Sequence, residues 1–403
     1  MCRLETFTRI ARRLMVITVA MLLLFQVALI CGCGGTEHAN KAFDEIPENP
    51  KPGAMYRADP QRTGVYPDSG KVPKGEYLWR IGEDGWKRAK MNGPVYNEGI
   101  VYYAGWLSTH ICAVDAKSGS EIWSFDTTRG NPDVKDPFLW VTKPPVIAGK
   151  AIYFSSFDML YALEAGTATV VWQFQAGGEI VGTPLVNDGT VFIACIDGNI
   201  YALEAKTGHE LWRFDYGSSN VSLMSFSNGK LYFNSGSEAD GYRLIAIDCV
   251  KGEEAWRFEK GSLSGSPPCI SGDIIYFGGV DGYIYALDSD TGEERWKLSS
   301  HGRIWSCLAV YESYIYYGSD DGCIYAIDKI NGDLKWQHKT AGDYIGSPSI
   351  ADGVVYVESD DQNIYALDAH TGNELWRVNA GMDLHGSPCI MDGVVYFEVG
   401  AIK

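Results

Sequence analysis

Past residue 30 the chain has few long apolar stretches, no run of basic residues and no adjacent pair of cysteines. Each absence closes off a class of function. Lys and Arg number 34 against 51 Asp and Glu, a net charge of −17. A surface this acidic repels phosphate backbones, so nucleic acid is excluded as a partner. There is no CxxC or CxxCH, and the seven histidines show no HxxxH or HExxH spacing. No metal is expected, because no helical pair of ligands is available to hold one. No GxSxG, P-loop or dinucleotide fingerprint stands in a usable context, which removes the common hydrolase and nucleotide-binding signatures.

What is present points to β-structure. The 403 residues are 46% hydrophobic and 21% charged, a globular composition with ample length for a large core. Glycines number 46 and aromatics make up 13%. Many turn residues together with many strand-favouring side chains predict an all-β chain.

The N-terminus reads as an export signal. Arg3, Arg9, Arg12 and Arg13 precede an apolar run from Leu14 to Ile30, followed by "ICGCGG" at 30–35. This resembles a bacterial lipobox, with Gly32 at the cleavage site and Cys33 as the lipidated residue. The competing reading is an uncleaved anchor, short for a bilayer at 17 residues. Both place residues 34–403 outside the cytoplasm. Gly34, rather than Asp, follows Cys33, so no inner-membrane retention signal is present. The expected location is the periplasmic face of the outer membrane. Residues 1–33 are read as signal peptide, 34–53 as a flexible linker and 54–403 as the folded body. Seven cysteines fall in that body: 112, 195, 249, 269, 307, 323 and 389. They are read as small apolar core residues. Export permits disulfides, but spacing assigns no pairing.

The body is a repeat. Trp79, Trp123, Trp172, Trp212, Trp256, Trp296, Trp336 and Trp376 are spaced 44, 49, 40, 44, 40, 40 and 40 residues apart. Within one period, "GSPSI", "VVYVES", "IYALD" and "ELWRV" (346–378) are short β-branched and aromatic runs joined by Asp-Gly or Thr-Gly turns. That is hairpin patterning, and four strands in about 40 residues make a propeller blade. In "IYALDSDTGEERW" (284–296), Asp288 is expected to accept backbone N–H groups in an Asx turn and Gly292 to supply a positive φ. Thr291 braces the turn, and Trp296 buries against the next blade. The pattern returns at Asp115–Gly119, Asp328–Gly332 and Asp368–Gly372, with Glu204 replacing Asp before Thr207 and Gly208.

"DGYIYALDSDTGEERW" resembles the repeat of PQQ-enzyme-type propellers, with their tryptophan-docking motif. "YRADPQRTG" (56–64) resembles the segment that leads into the first blade of bacterial PQQ-like repeat proteins. The resemblance covers 54–403, and its layout is most similar to the BamB type of outer-membrane protein assembly lipoprotein. It implies an eight-bladed all-β propeller of four-stranded antiparallel blades. First strands are expected near Pro94, Pro145, Pro184, Leu223, Pro267, Leu308, Pro348 and Pro388. The last blade supplies two strands and then "AIK", whereas "EYLWRI" (76–81) carries Trp79 with no blade before it. The strand of Trp79 is therefore expected to complete blade eight and close the ring.

Repeats hold the fold, so specificity is sought where the repeat fails. Loops leading from an outer strand to the next inner strand lie on one face. They carry the candidate binding residues Trp86, Arg88, Trp140, Glu179, His301, Arg303, Trp305, Asp343, Tyr344, Asp383 and His385. Aromatics mixed with Arg are the usual chemistry of protein contacts. The longest loop, 126–143, is too long for a minimal connection. PQQ dehydrogenases, which the repeat resembles, hold the quinone and Ca²⁺ beside an adjacent cysteine pair and a catalytic Asp. This sequence has no such pair, so no cofactor and no catalytic residue are assigned. The reading is a non-catalytic, membrane-anchored scaffold with a protein partner in the cell envelope, serving outer-membrane protein assembly. The alternatives are a PQQ- and Ca²⁺-dependent oxidoreductase, and a carbohydrate-binding or sensor propeller using Trp86, Trp140 and Trp305.

Overall fold

The computed structural model describes residue 59 and residues 65–80, 91–105, 109–128, 141, 143–218, 220–237, 241–259, 267–279, 281–300, 302–384, 386–397 and 400–402. The signal peptide, the linker and Cys33 lie outside them, as do Trp86, Arg88, Trp140, His301 and His385.

The repeat folds as the sequence spacing requires. Blade 1 is β2 (Met91–Asn97), β3 (Ile100–Gly105), β4 (His110–Asp115) and β5 (Glu121–Asp126). Blade 2 is β6 (Val146–Ala148), β7 (Ala151–Ser156), β8 (Met159–Glu164) and β9 (Val170–Gln175). Blade 3 is β10 (Ile180–Asn187), β11 (Thr190–Cys195), β12 (Asn199–Glu204) and β13 (Glu210–Asp215). Blade 4 is β14 (Ser225–Ser227), β15 (Lys230–Ser237), β16 (Gly241–Asp248) and β17 (Glu253–Phe258). Blades 5 to 7 repeat the pattern: β18 (Cys269–Ser271) to β21 (Glu294–Ser299), β22 (Ala309–Tyr311) to β25 (Leu334–Lys339), and β26 (Ser349–Ala351) to β29 (Glu374–Asn379). Each is an antiparallel meander in chain order.

Blade 8 combines both ends of the chain. β30 (Cys389–Met391), β31 (Val394–Phe397) and β32 (Gly400–Ile402) are completed by β1 (Tyr77–Arg80), in the order β1-β32-β31-β30. Trp79 stands opposite Ala401. The same pairing of a small residue with a large one recurs in every blade, as Ala113 opposite Trp123 and Ala366 opposite Trp376. Alanine on the third strand leaves room for the indole. Gly400–Ile402 is therefore a true third strand, and the expected closure is the one observed.

Burial follows the layering. Middle strands such as β7 are buried throughout, whereas outer strands alternate, as β13 does. The apolar clusters span neighbouring blades rather than single ones: one joins Tyr102 and Ile111 of blade 1 to Phe154 and Leu163 of blade 2. A blade alone cannot bury its faces, so ring closure is part of the core.

The end of the 284–296 motif's third strand behaves as a turn. Asp288 Oδ1 accepts the N–H groups of Asp290 at 3.0 Å and Thr291 at 2.9 Å, and the Thr291 hydroxyl at 3.1 Å. Trp79, Trp172, Trp212, Trp256, Trp336 and Trp376 each lie against a turn glycine (Gly119, Gly208, Gly252, Gly292, Gly372 and Gly75), whereas the turn that receives Trp123 has Ala168 at its positive-φ position. A Cβ on Gly372 (φ +71) would come within 2.6 Å of the Trp336 ring, so only glycine fits. The Trp336 Nε1–H donates to Ala369 O at 2.9 Å. Trp79, Trp123, Trp172, Trp212 and Trp256 donate to Ala116, Ala165, Ala205, Cys249 and Ser289 in the same way.

Trp296 packs against the cluster shared by blades 5 and 6 but lacks the hydrogen bond of the other indoles. It packs against Tyr276 at 5.9 Å between ring centroids, but its buried Nε1–H has no hydrogen-bond partner among the described residues. The equivalent carbonyl, Lys329 O, accepts the Tyr276 hydroxyl at 3.5 Å, whereas in blades 2, 4 and 6 that carbonyl accepts both the tyrosine and the indole. The next turn glycine, Gly332, faces Leu298 rather than the indole.

Candidate functional site

Antiparallel order puts two kinds of connection on one face: the turns between second and third strands, and the loops from an outer strand to the next inner strand. They are built as interlocking pairs. In blade 6 the Arg303 N–H donates to Asp320 Oδ1 at 2.8 Å, and the Asp320 N–H returns to Arg303 O at 3.2 Å. In blade 7, Asp360 Oδ1 accepts the N–H groups of Asp343 and Tyr344 at 3.0 and 3.2 Å, and its own N–H bonds to Tyr344 O. The first Asp of each Asp-Asp turn thus clamps the incoming loop.

The second Asp anchors a tyrosine. The hydroxyls of Tyr325 and Tyr365 donate to Asp321 and Asp361, each at 2.5 Å. Tyr201 and Tyr285 do the same to Asp197 and Asp281, at 2.5 and 2.7 Å. Burial and the neighbouring carboxylate push the Tyr201 and Tyr365 phenols up to about 12. Burial would raise the carboxyl of Asp361, but hydrogen bonds from Tyr365, Asn363 and Ala341 hold it below its ordinary value. Buried apolar residues, Ile304, Ile345 and Leu384, pin the loop centres into the core.

Of the described loop residues that the sequence singled out, four have exposed side chains. Arg303 and Trp305 are exposed on one loop, and Trp305 has 45% of its surface open. Asp343 is exposed and Tyr344 half-buried on the next loop, and Asp383 is exposed on the one after. The Asp383 carboxylate accepts Gln362 Nε2 at 3.4 Å. The structure thus places these five on consecutive loops of blades 6, 7 and 8. Glu179 lies away from them, half-buried between blades 2 and 3, where its carbonyl accepts the Ile196 N–H at 2.9 Å. Tyr216, also on a face loop, is a scaffold residue: it is buried, and its hydroxyl donates to Cys195 O at 2.5 Å.

Sequence reasoning missed Glu358. This carboxylate is wholly buried at the end of β27 (Val354–Glu358), and its Oε2 accepts the Gly386 N–H at 2.9 Å. It ties the loop of blade 8 to blade 7. The available signal was an acidic residue ending the apolar run "VVYVE".

The fold family raises the question of PQQ with Ca²⁺. A calcium ion needs six to eight converging oxygens. The face carboxylates at 197, 281, 321 and 361 are each taken by a tyrosine hydroxyl and by backbone amides. Among the described residues no three His, Cys, Asp or Glu side chains converge on a metal position. The cleft beside blade 4, lined by Asn220, Ser222, Asn234, Ser235 and Tyr242, has room of about 40 Å³, water-sized rather than cofactor-sized. These four turn carboxylates are therefore not available to hold the ion. All seven cysteines of the body are free thiols, six of them buried, as expected of core residues.

A family model described as outer membrane protein assembly factor BamB matches residues 108–257, 187–303 and 280–401, well over half of the chain. The chain belongs to this PQQ-like repeat family. Its curated relatives divide between two kinds of protein. The quinoprotein alcohol dehydrogenase PedH of Pseudomonas putida is 25% identical over 192 residues, 43% of this chain and 32% of that protein. BamB of Yersinia pestis is 27% identical over 177 residues, 43% of this chain and 41% of that protein. The matches thus span less than half the length of either relative. Solved structures show the same division at the level of fold. Quinohemoprotein alcohol dehydrogenase from Comamonas testosteroni aligns with a TM-score of 0.71 at 15% identity, covering 91% of this chain and 80% of that one. BamB from Moraxella catarrhalis aligns at 0.63 and 17%, covering 81% and 95%.

Proposed function

We propose that this PQQ-like propeller is a non-catalytic, exported, lipid-anchored scaffold that binds a protein partner at the periplasmic face of the outer membrane during outer-membrane protein assembly. The carrying observation is the division of labour on the loop face. Its turn carboxylates are consumed in holding loops and tyrosines, while Arg303, Trp305, Asp343 and Asp383 stay exposed on loops with locked backbones. A rigid frame presenting an exposed Trp beside an Arg suits a protein contact, because little side-chain order is lost on binding. The resemblance to BamB proteins supports the choice of pathway, and the lipobox around Cys33 supports the anchor.

The test is crosslinking in native membranes followed by mass spectrometry. The expected result is recovery of a barrel-assembly protein, with crosslinks at the 303–305 and 343–344 loops. The double variant Arg303→Ala, Trp305→Ala is expected to lose them while keeping the parent's melting temperature. Recovery of unrelated soluble proteins alone would sink the assembly reading. Cys33→Ala is expected to release the chain from membranes; retention would remove the lipid anchor from the proposal. The match to PedH motivates a second reading, a PQQ- and Ca²⁺-dependent oxidoreductase. Dye reduction across alcohols and sugars after reconstitution with both would establish it in place of the first.

A further inference from the structure

The outer strand of every blade is a sheet edge, with one row of backbone N–H and C=O groups turned outward. Such edges pair with foreign strands unless charge or shape prevents it. Seven of the eight outer strands carry charge: Arg80 on β1, Glu121 and Asp126 on β5, Arg213 on β13, Arg257 on β17, Arg295 and Lys297 on β21 (Glu294–Ser299), Lys335 on β25 (Leu334–Lys339), and Arg377 on β29 (Glu374–Asn379). β9 is the exception. Its sequence is VVWQFQ, and from Thr167 through Gln175 there is no charged residue, proline or glycine. Val170, Gln173 and Gln175 are exposed. A six- or seven-residue window of high β-propensity without charge is the composition that favours strand pairing.

The edge is open. β9 ends its sheet in the order β6-β7-β8-β9, and no described strand pairs with its far side. The Ala176 N–H bonds back to Asp158 O at 2.9 Å. By alternation from Ala176, the N–H groups of Gln173 and Gln175 face outward; the register shift between Ala162 and Leu163 interrupts the alternation before Trp172. Both ends of the strip are acidic. Asp158 sits at one end, accepting Gln175 Nε2 at 3.3 Å, and Glu164 at the other, accepting the Thr167 hydroxyl at 2.7 Å. A second copy pairing antiparallel would set Asp158 of one molecule near Glu164 of the other, between two bodies of net charge −17. The charges favour a different occupant.

We infer that the open edge of β9 docks an extended strand of another protein by edge-to-edge hydrogen bonding. The occupant is an uncharged segment that alternates apolar and small polar residues and is basic at its ends. Alternation is needed because successive side chains of the added strand fall on opposite faces of the blade. The neutral middle and acidic ends of β9 set the charge of the partner. This surface is the rim of blade 2, separate from the loop face, and stands or falls independently of it.

The test is hydrogen exchange of the full chain with a synthetic peptide of about ten residues, Val and Tyr alternating with Thr and Ser, lysine at each end. Exchange over 170–175 is expected to slow by about tenfold, with the equivalent strand β25 unchanged. The same peptide with proline substituted at alternate positions is expected to protect nothing, since it lacks the donors. Gln173→Lys is expected to abolish protection. Gln337→Lys, the same change beside Trp336 on β25, is expected to leave it intact. The contrast between the two peptides uses the unmodified chain, so it stands even if a variant misfolds. Absence of slowing over 170–175, or equal slowing at all outer strands, would overturn the inference. So would self-association of the unmodified chain in sedimentation that Gln173→Lys abolishes, because the occupant would then be a second copy.

Discussion

Trp296 and Trp336 hold the same place in successive blades, yet only one is fully docked. Trp336 Nε1 donates to Ala369 O, while Trp296 Nε1 is buried without a partner among the described residues. A neutral hydrogen bond contributes about 0.5–1.5 kcal/mol net, and an unmet buried donor costs about 1–3 kcal/mol. Replacing indole by phenyl removes a useful bond at 336 and an unmet donor at 296. Trp336→Phe should therefore destabilise by about 1.5–4.5 kcal/mol more than Trp296→Phe, read as a lower urea midpoint at unchanged slope. Equal losses would mean that area alone decides. The tryptophan register was legible in the sequence because it depends only on spacing. The failed dock was not. It depends on where the carbonyl of residue 329 points, and that is set by three-dimensional packing around Tyr276 and Leu298.

At the scale of the element, the segment ahead of β1 does more than the sequence indicated. Trp79 with no blade before it, and a last blade two strands short, were enough to predict closure. They did not reveal the strap formed by residues 65–75. Tyr66 N–H bonds to Ile350 O at 2.7 Å. Asp352 accepts the N–H groups of Ser69 at 3.0 Å and Gly70 at 2.7 Å, and the Ser69 hydroxyl at 2.9 Å. Gly75 (φ +83) lies under the Trp376 ring, whose Nε1–H donates to Pro73 O at 2.6 Å. The strap thus supplies the docking turn that blade 8 would otherwise lack. Each of these contacts joins residues 282 or more apart in the chain, so no local pattern announced them. Deleting 75–84 is expected to open the ring, shown by faster proteolysis and by a smaller urea slope as unfolding loses cooperativity. Protease resistance equal to the parent's would refute closure at this seam. Asp352→Ala keeps β1 but frees the strap, and is expected to lower the melting temperature without changing the slope. The face loops show the same limit on legibility. Arg303, Trp305, Asp343 and Asp383 stood out as departures from the repeat, whereas the clamps by Asp320 and Asp360 appear only when loop and turn are brought together.

For the whole molecule, eightfold repetition multiplies small electrostatic effects into a pH window. On one face the turn carboxylates are held below their usual range. The Ser118 hydroxyl and N–H lower Asp115, the backbone N–H groups of Lys251 and Val250 lower Asp248, and the Thr371 hydroxyl, against some burial, lowers Asp368. Arg295, together with the Thr291 N–H, takes Asp288 to about 2. A folded value below the unfolded one means that stability is present above the unfolded value and is lost as pH falls through the folded value. In the inter-blade layers the shift is opposite. Burial pushes the phenols of Tyr102 and Tyr276 up to about 12, and raises those of Tyr153, Tyr232, Tyr316, Tyr356 and Tyr396 as well. A raised value favours the neutral phenol, so that stability is present below the ordinary phenol range and is lost as pH climbs through the folded values. The melting temperature is therefore expected to be nearly flat from about pH 5 to 9 and to fall on both sides. The alkaline limb carries the sharper test, because phenolate absorbance near 295 nm reports ionisation directly. The buried rings beside the docked indoles should ionise only as circular dichroism reports unfolding. If their absorbance rises near pH 10 with the fold intact, water reaches the inter-blade layers, and the closed ring described here is not the state in solution.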